Sequence, residues 1–183
     1  MKYIVITFLV FLVITSCDNA KRYKTEISEI DSKQLQLDSL AFVVNEVKID
    51  SLNYMVKEAT ANEAVIRAYY FVDTIDMAFA SKLDKNKKVR KSLSSIENQK
   101  TKILKELDEM KIQFSNLKKD ILAGLYGGKQ IENYLNVERL DFDKLRLNIK
   151  SFNLLQKEQK TNFYYSNPQI KEYCVKLLKD IEK

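Results

Sequence analysis

The sequence predicts an all-α protein, an elongated antiparallel helical bundle or coiled-coil hairpin of three long helices plus a short C-terminal helix. Three observations predict it. The 183 residues contain three glycines, all between Gly124 and Gly128, and a single proline, Pro168, so the strongest helix breakers occur in two places. Apolar residues at Val89, Leu93, Ile96, Ile103, Leu107, Met110, Phe114, Leu117 and Ile121 alternate in steps of four and three, and only Lys100 interrupts the run. That spacing is a heptad seam, which puts every member on one helical face and requires a partner surface along its length. Charged residues such as Lys102, Lys105, Glu106, Asp108 and Lys118 fill the other faces.

Residues 17–36 are polar and weakly periodic, with Ile27 and Ile30 isolated, and read as a tether. Asp38-Ser39 can cap a first helix whose stripe runs through Leu40, Val43, Val44, Val47, Leu52, Met55, Val56 and Ala59 to Ile66, Tyr70 and Phe79, with an interruption near Asp50-Ser51. The polar stretch 84–88 reads as a turn, and the heptad helix follows over residues 89–126. Gly127-Gly128 tolerate left-handed backbone angles and can end it. A third helix is predicted over residues 129–160 on Ile131, Leu135, Phe142, Leu145, Ile149 and Phe152, with Glu138 interrupting the pattern. Asn167-Pro168 restarts the chain, since proline suits a first helical turn. Ile170, Tyr173, Cys174, Leu177, Leu178 and Ile181 then form the closing helix. Short connections make consecutive helices antiparallel neighbours within one helical domain over residues 37–183. The same heptads can also zip two chains together, so self-association stays open.

The first seventeen residues have a different character. Lys2 supplies a positive start, Ile4 to Ile14 an apolar core, and Thr15-Ser16 small residues before Cys17. An apolar helix of that length spans only about 16 Å, too short for about 30 Å of hydrocarbon. With Ile14-Thr15-Ser16-Cys17 at its end, the segment resembles the signal peptide of bacterial lipoproteins, although Ile14 stands where Leu is commoner. The resemblance covers this segment alone. It implies that residues 1–16 are a signal peptide, that Cys17 carries lipid through its sulfur and amino group, and that residues 17–36 tether the body to a membrane of the bacterial cell envelope. Multiple acyl chains are what make such an anchor stable. Asp18 stands alone before Lys21-Arg22, which fits a periplasm-facing anchor. Loss of Lys2 with the signal lowers the formal charge from +6 to +5.

The remaining chain carries little that points to catalysis. There is no histidine, which removes the commonest general base and metal ligand together. No nucleophile elbow, phosphate loop or zinc pattern occurs, so the expectation is a non-enzyme with no cofactor and no metal. Cys174 lies in an apolar stripe and reads as a small core residue. Glu58, Glu63, Asp73 and Asp76 lie on helix surfaces without the histidines of a bundle metal site.

Lys82, Lys85, Lys87, Lys88, Arg90 and Lys91 form the densest basic cluster, a candidate contact patch for anionic lipid or an acidic partner, or else a solvated turn. Tyr69-Tyr70-Phe71 and Phe163-Tyr164-Tyr165 cannot face one narrow stripe, so each triplet places a ring at a margin or on the surface. The function expected from these features is a protein-interaction or scaffold module anchored to a membrane, with another envelope protein as partner and no nucleic acid. A holdase-like periplasmic chaperone and a bundle binding lipid or a small ligand are the alternatives. An exposed apolar groove would favour the chaperone, and an apolar cavity the binding bundle.

Overall fold

A computed structural model describes residues 18–71, 74 and 76–181 of the chain. Among them every regular element is a helix. After a helical stretch at residues 18–22 come α1 (Lys24–Asn45), α2 (Ile49–Tyr69), α3 (Met77–Leu93), α4 (Ile96–Leu122) and α5 (Gly128–Ile181). No helix among the described residues is long and apolar enough to cross a membrane.

The chain segregates into two compact units, where one helical domain over residues 37–183 was expected. The first combines the described residues up to Asn45 with Lys102–Ile149, and the second combines Glu46–Thr101 with the chain from Lys150 onward. Helices α4 and α5 each contribute to both.

In the first unit α1 replaces most of the expected tether. Tyr23, Ile30, Leu37 and Val44 are buried at intervals of seven, and Ile27, Gln34 and Ala41 fill the intermediate steps as half-buried residues. Three of these positions hold glutamine, alanine and tyrosine rather than large aliphatic residues, which is why the stripe is faint in sequence. Helix α1 runs against α4, as the contacts Asn19 to the Leu122 carbonyl (3.3 Å), Asp31 to Lys118 (2.5 Å) and Asp38 to Lys111 (2.8 Å) show. It runs in the same sense as α5, where Glu29 meets Arg139 at 2.6 Å and the Lys33 ammonium sits 4.0 Å above the Phe142 ring. Asp38 therefore lies mid-helix in an ion pair and caps nothing.

The seam from Val89 to Ile121 is buried at every apolar position, and its phase carries through the short break at Ser94-Ser95 between α3 and α4. Helix α4 ends at Gly124, not at Gly127-Gly128. The Leu125 amide donates to the Asp120 carbonyl and the Gly124 amide to the Ile121 carbonyl, the paired bonds of a Schellman closure. Gly124 has φ +72°, which favours glycine, while a Cβ there would meet only the movable end of the Asn19 side chain at 2.7 Å. Gly127 instead starts α5. Its carbonyl accepts from the Gln130 and Ile131 amides, and its own amide donates to Gln130 Oε1 at 3.1 Å, a reciprocal cap.

Helix α5 unites the third helix and the separate closing helix expected from sequence. Its buried positions run 131, 135, 142, 145, 149, 152, 156, 159, 163, 166, 170 and 174, with half-buried Glu138 in step. The alternation of four and three lasts until Ile170, where a second step of four leads to Cys174, eleven residues on from Phe163. Such a step inserts four residues into the heptad rhythm and brings Ser166 and Asn167 both inward. Pro168 cannot donate a backbone hydrogen bond, a defect of about 3 kcal/mol in a helix interior. It lies on the exposed side, while Phe163, Ile170 and Cys174 remain buried on either side of it, so packing carries the helix through.

In the second unit the long first helix of the sequence reading is divided. It stops at residues 46–48 and again after Tyr69. Helix α2 buries Leu52, Met55, Ala59 and Asn62, and α3 starts where Asp76 accepts from the Ala78 amide at 2.8 Å. The predicted turn at 84–88 is helical and lies inside α3, because Asn86 faces inward with Val89 and Leu93 in helical register while its lysine neighbours face out. Helix α2 runs in the same sense as α5, with Tyr54 on Phe163 and Glu58 on Lys171. Helix α3 runs against α5, with Phe79 on Tyr173 and Lys85 on Tyr165.

Two seam residues test this packing. Ile103 and Leu107 are buried, and placing Asp at both should collapse helicity in circular dichroism, since two buried carboxylates cost more than a typical margin of about 5–15 kcal/mol leaves spare. Unchanged helicity would contradict the seam. Glu138 behaves oppositely, being an acid already in the seam with its carboxyl pushed up first by burial and then by Asp141. A raised acid holds its proton more tightly in the folded state, so its stabilising effect is present below the ordinary value and lost as pH rises through the raised one. Glu138→Gln should therefore stabilise the protein at pH 7 and have little effect at pH 4 in urea titrations.

Candidate functional site

The second unit holds the features that sequence singled out. Its centre is a polar layer within an otherwise apolar interior. Asn62 from α2 donates through Nδ2 to Asn167 Oδ1 of α5 at 2.7 Å, and both are buried. Asn86 from α3 donates to the Ala59 carbonyl of α2 at 3.0 Å, while the Cys174 thiol lies 3.6 Å from the Asn62 carbonyl. Asn86 Oδ1 has no hydrogen-bond partner and is the one such buried side-chain atom among the described residues. Burial pushes the Cys174 thiol up, which keeps it protonated and inert.

Beside this layer is a cavity of about 310 Å³ between α2 and α3, lined by Ile66, Tyr70, Phe79, Ala80 and Leu83 with Asn86, Glu63, Asp84 and Lys87 at its polar parts. Tyr70, Phe79 and Tyr173 form one aromatic cluster, with ring centroids 4.8–5.7 Å apart. Each aromatic triplet is thus divided. Tyr70 joins the cluster while Tyr69 and Phe71 are exposed, and Phe163 is buried while Tyr164 and Tyr165 are exposed.

The six basic residues all fall on α3, but they do not act together. Arg90 is committed to Glu63, with Nε to Oε2 at 2.5 Å and the second nitrogen to Oε1 at 3.2 Å. Burial raises the Glu63 carboxyl, yet Arg90 and then Arg67 outweigh it and hold Glu63 below the usual carboxylate range. Lys85 and Lys82 lie over the Tyr165 ring at 3.9 and 5.8 Å. Lys87, Lys88 and Lys91 are exposed and share a face by their spacing of three and four.

The expected surface carboxylates are also accounted for. Glu58 pairs with Lys171 at 2.8 Å, Glu63 with the arginines, and Asp76 caps α3. Asp73 and Cys17 lie outside the described residues, so the lipid site has no place in this geometry. Among the described residues no three His, Cys, Asp or Glu side chains are placed to hold a metal ion. The cavity and the asparagine layer were not anticipated from sequence. A faint signal was Asn62 falling in step with Leu52, Met55 and Ala59.

No protein-family model, curated protein or solved structure matches the chain.

The Asn62–Asn167 bond predicts a coupled loss. Alanine at either position strands the other amide in the interior at about 1–3 kcal/mol, whereas removing both leaves nothing unpaired. In a double-mutant cycle read by urea denaturation, the pair should cost at least about 1 kcal/mol less than the two singles together. Simple additivity would show that the bond does not hold the layer.

Proposed function

We propose that the chain is a membrane-anchored lipoprotein of the bacterial cell envelope, facing the periplasm, whose helical body is a non-enzymatic protein-interaction or scaffold module. The observation that carries this reading is the sequence Ile14-Thr15-Ser16-Cys17 at the end of a short apolar segment with Lys2 before it. In this reading Cys17 bears acyl chains, residues 1–16 are removed, and the body is an elongated antiparallel bundle held close to the membrane. It differs from the expected outline in that the chain beyond Asp18 is already helical, so a flexible spacer is short or absent.

What the body offers a partner follows from its surface chemistry. Besides scattered exposed aliphatic side chains such as Leu35, Ile112, Leu140 and Leu154, the surface presents the exposed lysines of α3 and the exposed rings of Phe71, Tyr164 and Tyr165 as contact groups. Aromatic side chains amid cations form effective protein contacts, because the rings give area at low entropic cost and the charges steer encounter. An acidic surface on another envelope protein is the matching chemistry.

Replacing Cys17 with Ser should abolish incorporation of labelled fatty acid and move the chain from the membrane to the soluble envelope fraction. Label still incorporated into that variant would overturn the anchor. Crosslinking in cells through a photoreactive residue at Lys88 should recover one stoichiometric protein. Many unfolded clients would instead mark a holdase chaperone.

A further inference from the structure

We propose that the cavity between α2 and α3 is a binding site for a single-chain anionic amphiphile, with the chain in the apolar interior and the head group at Lys87. Size, wall chemistry and charge agree on that class. A volume of about 310 Å³ corresponds to about ten water-sized units, at the lower end of the range for small-molecule sites. That room suits a single chain of about ten carbons. The interior is made by Ile66, Tyr70, Phe79, Ala80 and Leu83, none of which presents a charge. Such a wall favours an apolar body and offers it nothing to coordinate.

Charge then selects the head group. Of the two carboxylates that line the cavity among the described residues, Glu63 is neutralised by Arg90 and Arg67, which leaves exposed Asp84. Against it stand Lys87, which lines the cavity and makes no ion pair or hydrogen bond with the described residues, and the exposed lysines Lys88 and Lys91 on the same helix. The other basic residues of the cluster are committed elsewhere, Arg90 to Glu63 and both Lys82 and Lys85 to the Tyr165 ring. Among the described residues, Lys87 is therefore the one cation of the cluster with both access to the cavity and an unpaired ammonium. A carboxylate or a phosphate monoester would satisfy it, and an ammonium head would meet net repulsion from α3. This site is independent of any lipid carried by Cys17.

The test is calorimetric titration of the purified chain with decanoate, decyl phosphate and decyltrimethylammonium, each below its micellar concentration. One equivalent of decanoate or decyl phosphate should bind, the tighter of the two identifying a carboxylate or a phosphate head. Lys87→Glu, at an exposed position, should weaken binding about tenfold or more while leaving helicity unchanged. Ala80→Phe should fill the cavity and abolish binding, and Lys105→Glu in the other unit should change nothing. The proposal is overturned if neither anion binds, if the cationic amphiphile binds as tightly, or if Lys87→Glu binds as the parent does.

Discussion

Burial of a seam repeating in fours and threes is the constraint on which the rest of this structure depends. From Val89 to Ile121, and again from Ile131 to Cys174, the apolar side chains on one helical face are withdrawn from water. Each such side chain contributes about 1.5–3 kcal/mol, while exposed ion pairs such as Lys105–Glu109 contribute about 0–1 kcal/mol. Helix ends, caps and surface charges therefore adjust to the seam. Helix α5 shows this most directly, since it passes through Pro168 because the buried residues on both sides keep their register.

Polar residues in the seam mark places where something besides packing decided the residue. Lys100 interrupts the apolar run, and its ammonium donates to the Val47 carbonyl at 3.1 Å, which meets an acceptor left over by the break between α1 and α2. Asn62 and Asn167 satisfy each other across two helices, so that a shift of either along its axis would strand two amides. That makes the pair a device for register, since apolar layers alone slide past one another at less cost. Glu138 has the weakest justification, because desolvation and Asp141 both disfavour its charge.

Much of the fold was legible because helical periodicity reports burial directly. The seam of Val89, Leu93, Ile96, Ile103 and Leu107 reads correctly even across the break at Ser94-Ser95, because the break preserves phase. Legibility failed where local chemistry was ambiguous. Residues 84–88 carry turn-like charges but continue α3, since lysine is a good helix former and Asn86 finds a carbonyl inside. Gly124 and Gly127 are equally plausible stops in sequence, and only the bonds from Leu125 and Gly124 to the preceding turn single out the first. The candidate site was harder still, because a basic cluster in sequence does not reveal which cations are already spoken for.

By itself the sequence determined an all-helical chain, the face of α4 that is buried, and the resemblance of residues 1–17 to a lipoprotein signal, since each follows from order along the chain. Tertiary structure decided which surfaces meet. It divided the helices into two units, gave α1 a seam of its own, released Lys87 while tying Arg90 to Glu63, and left space between Ile66 and Phe79. The reason is that a periodic pattern specifies a face and not its partner. Voids and unpaired charges arise only when particular faces are brought together.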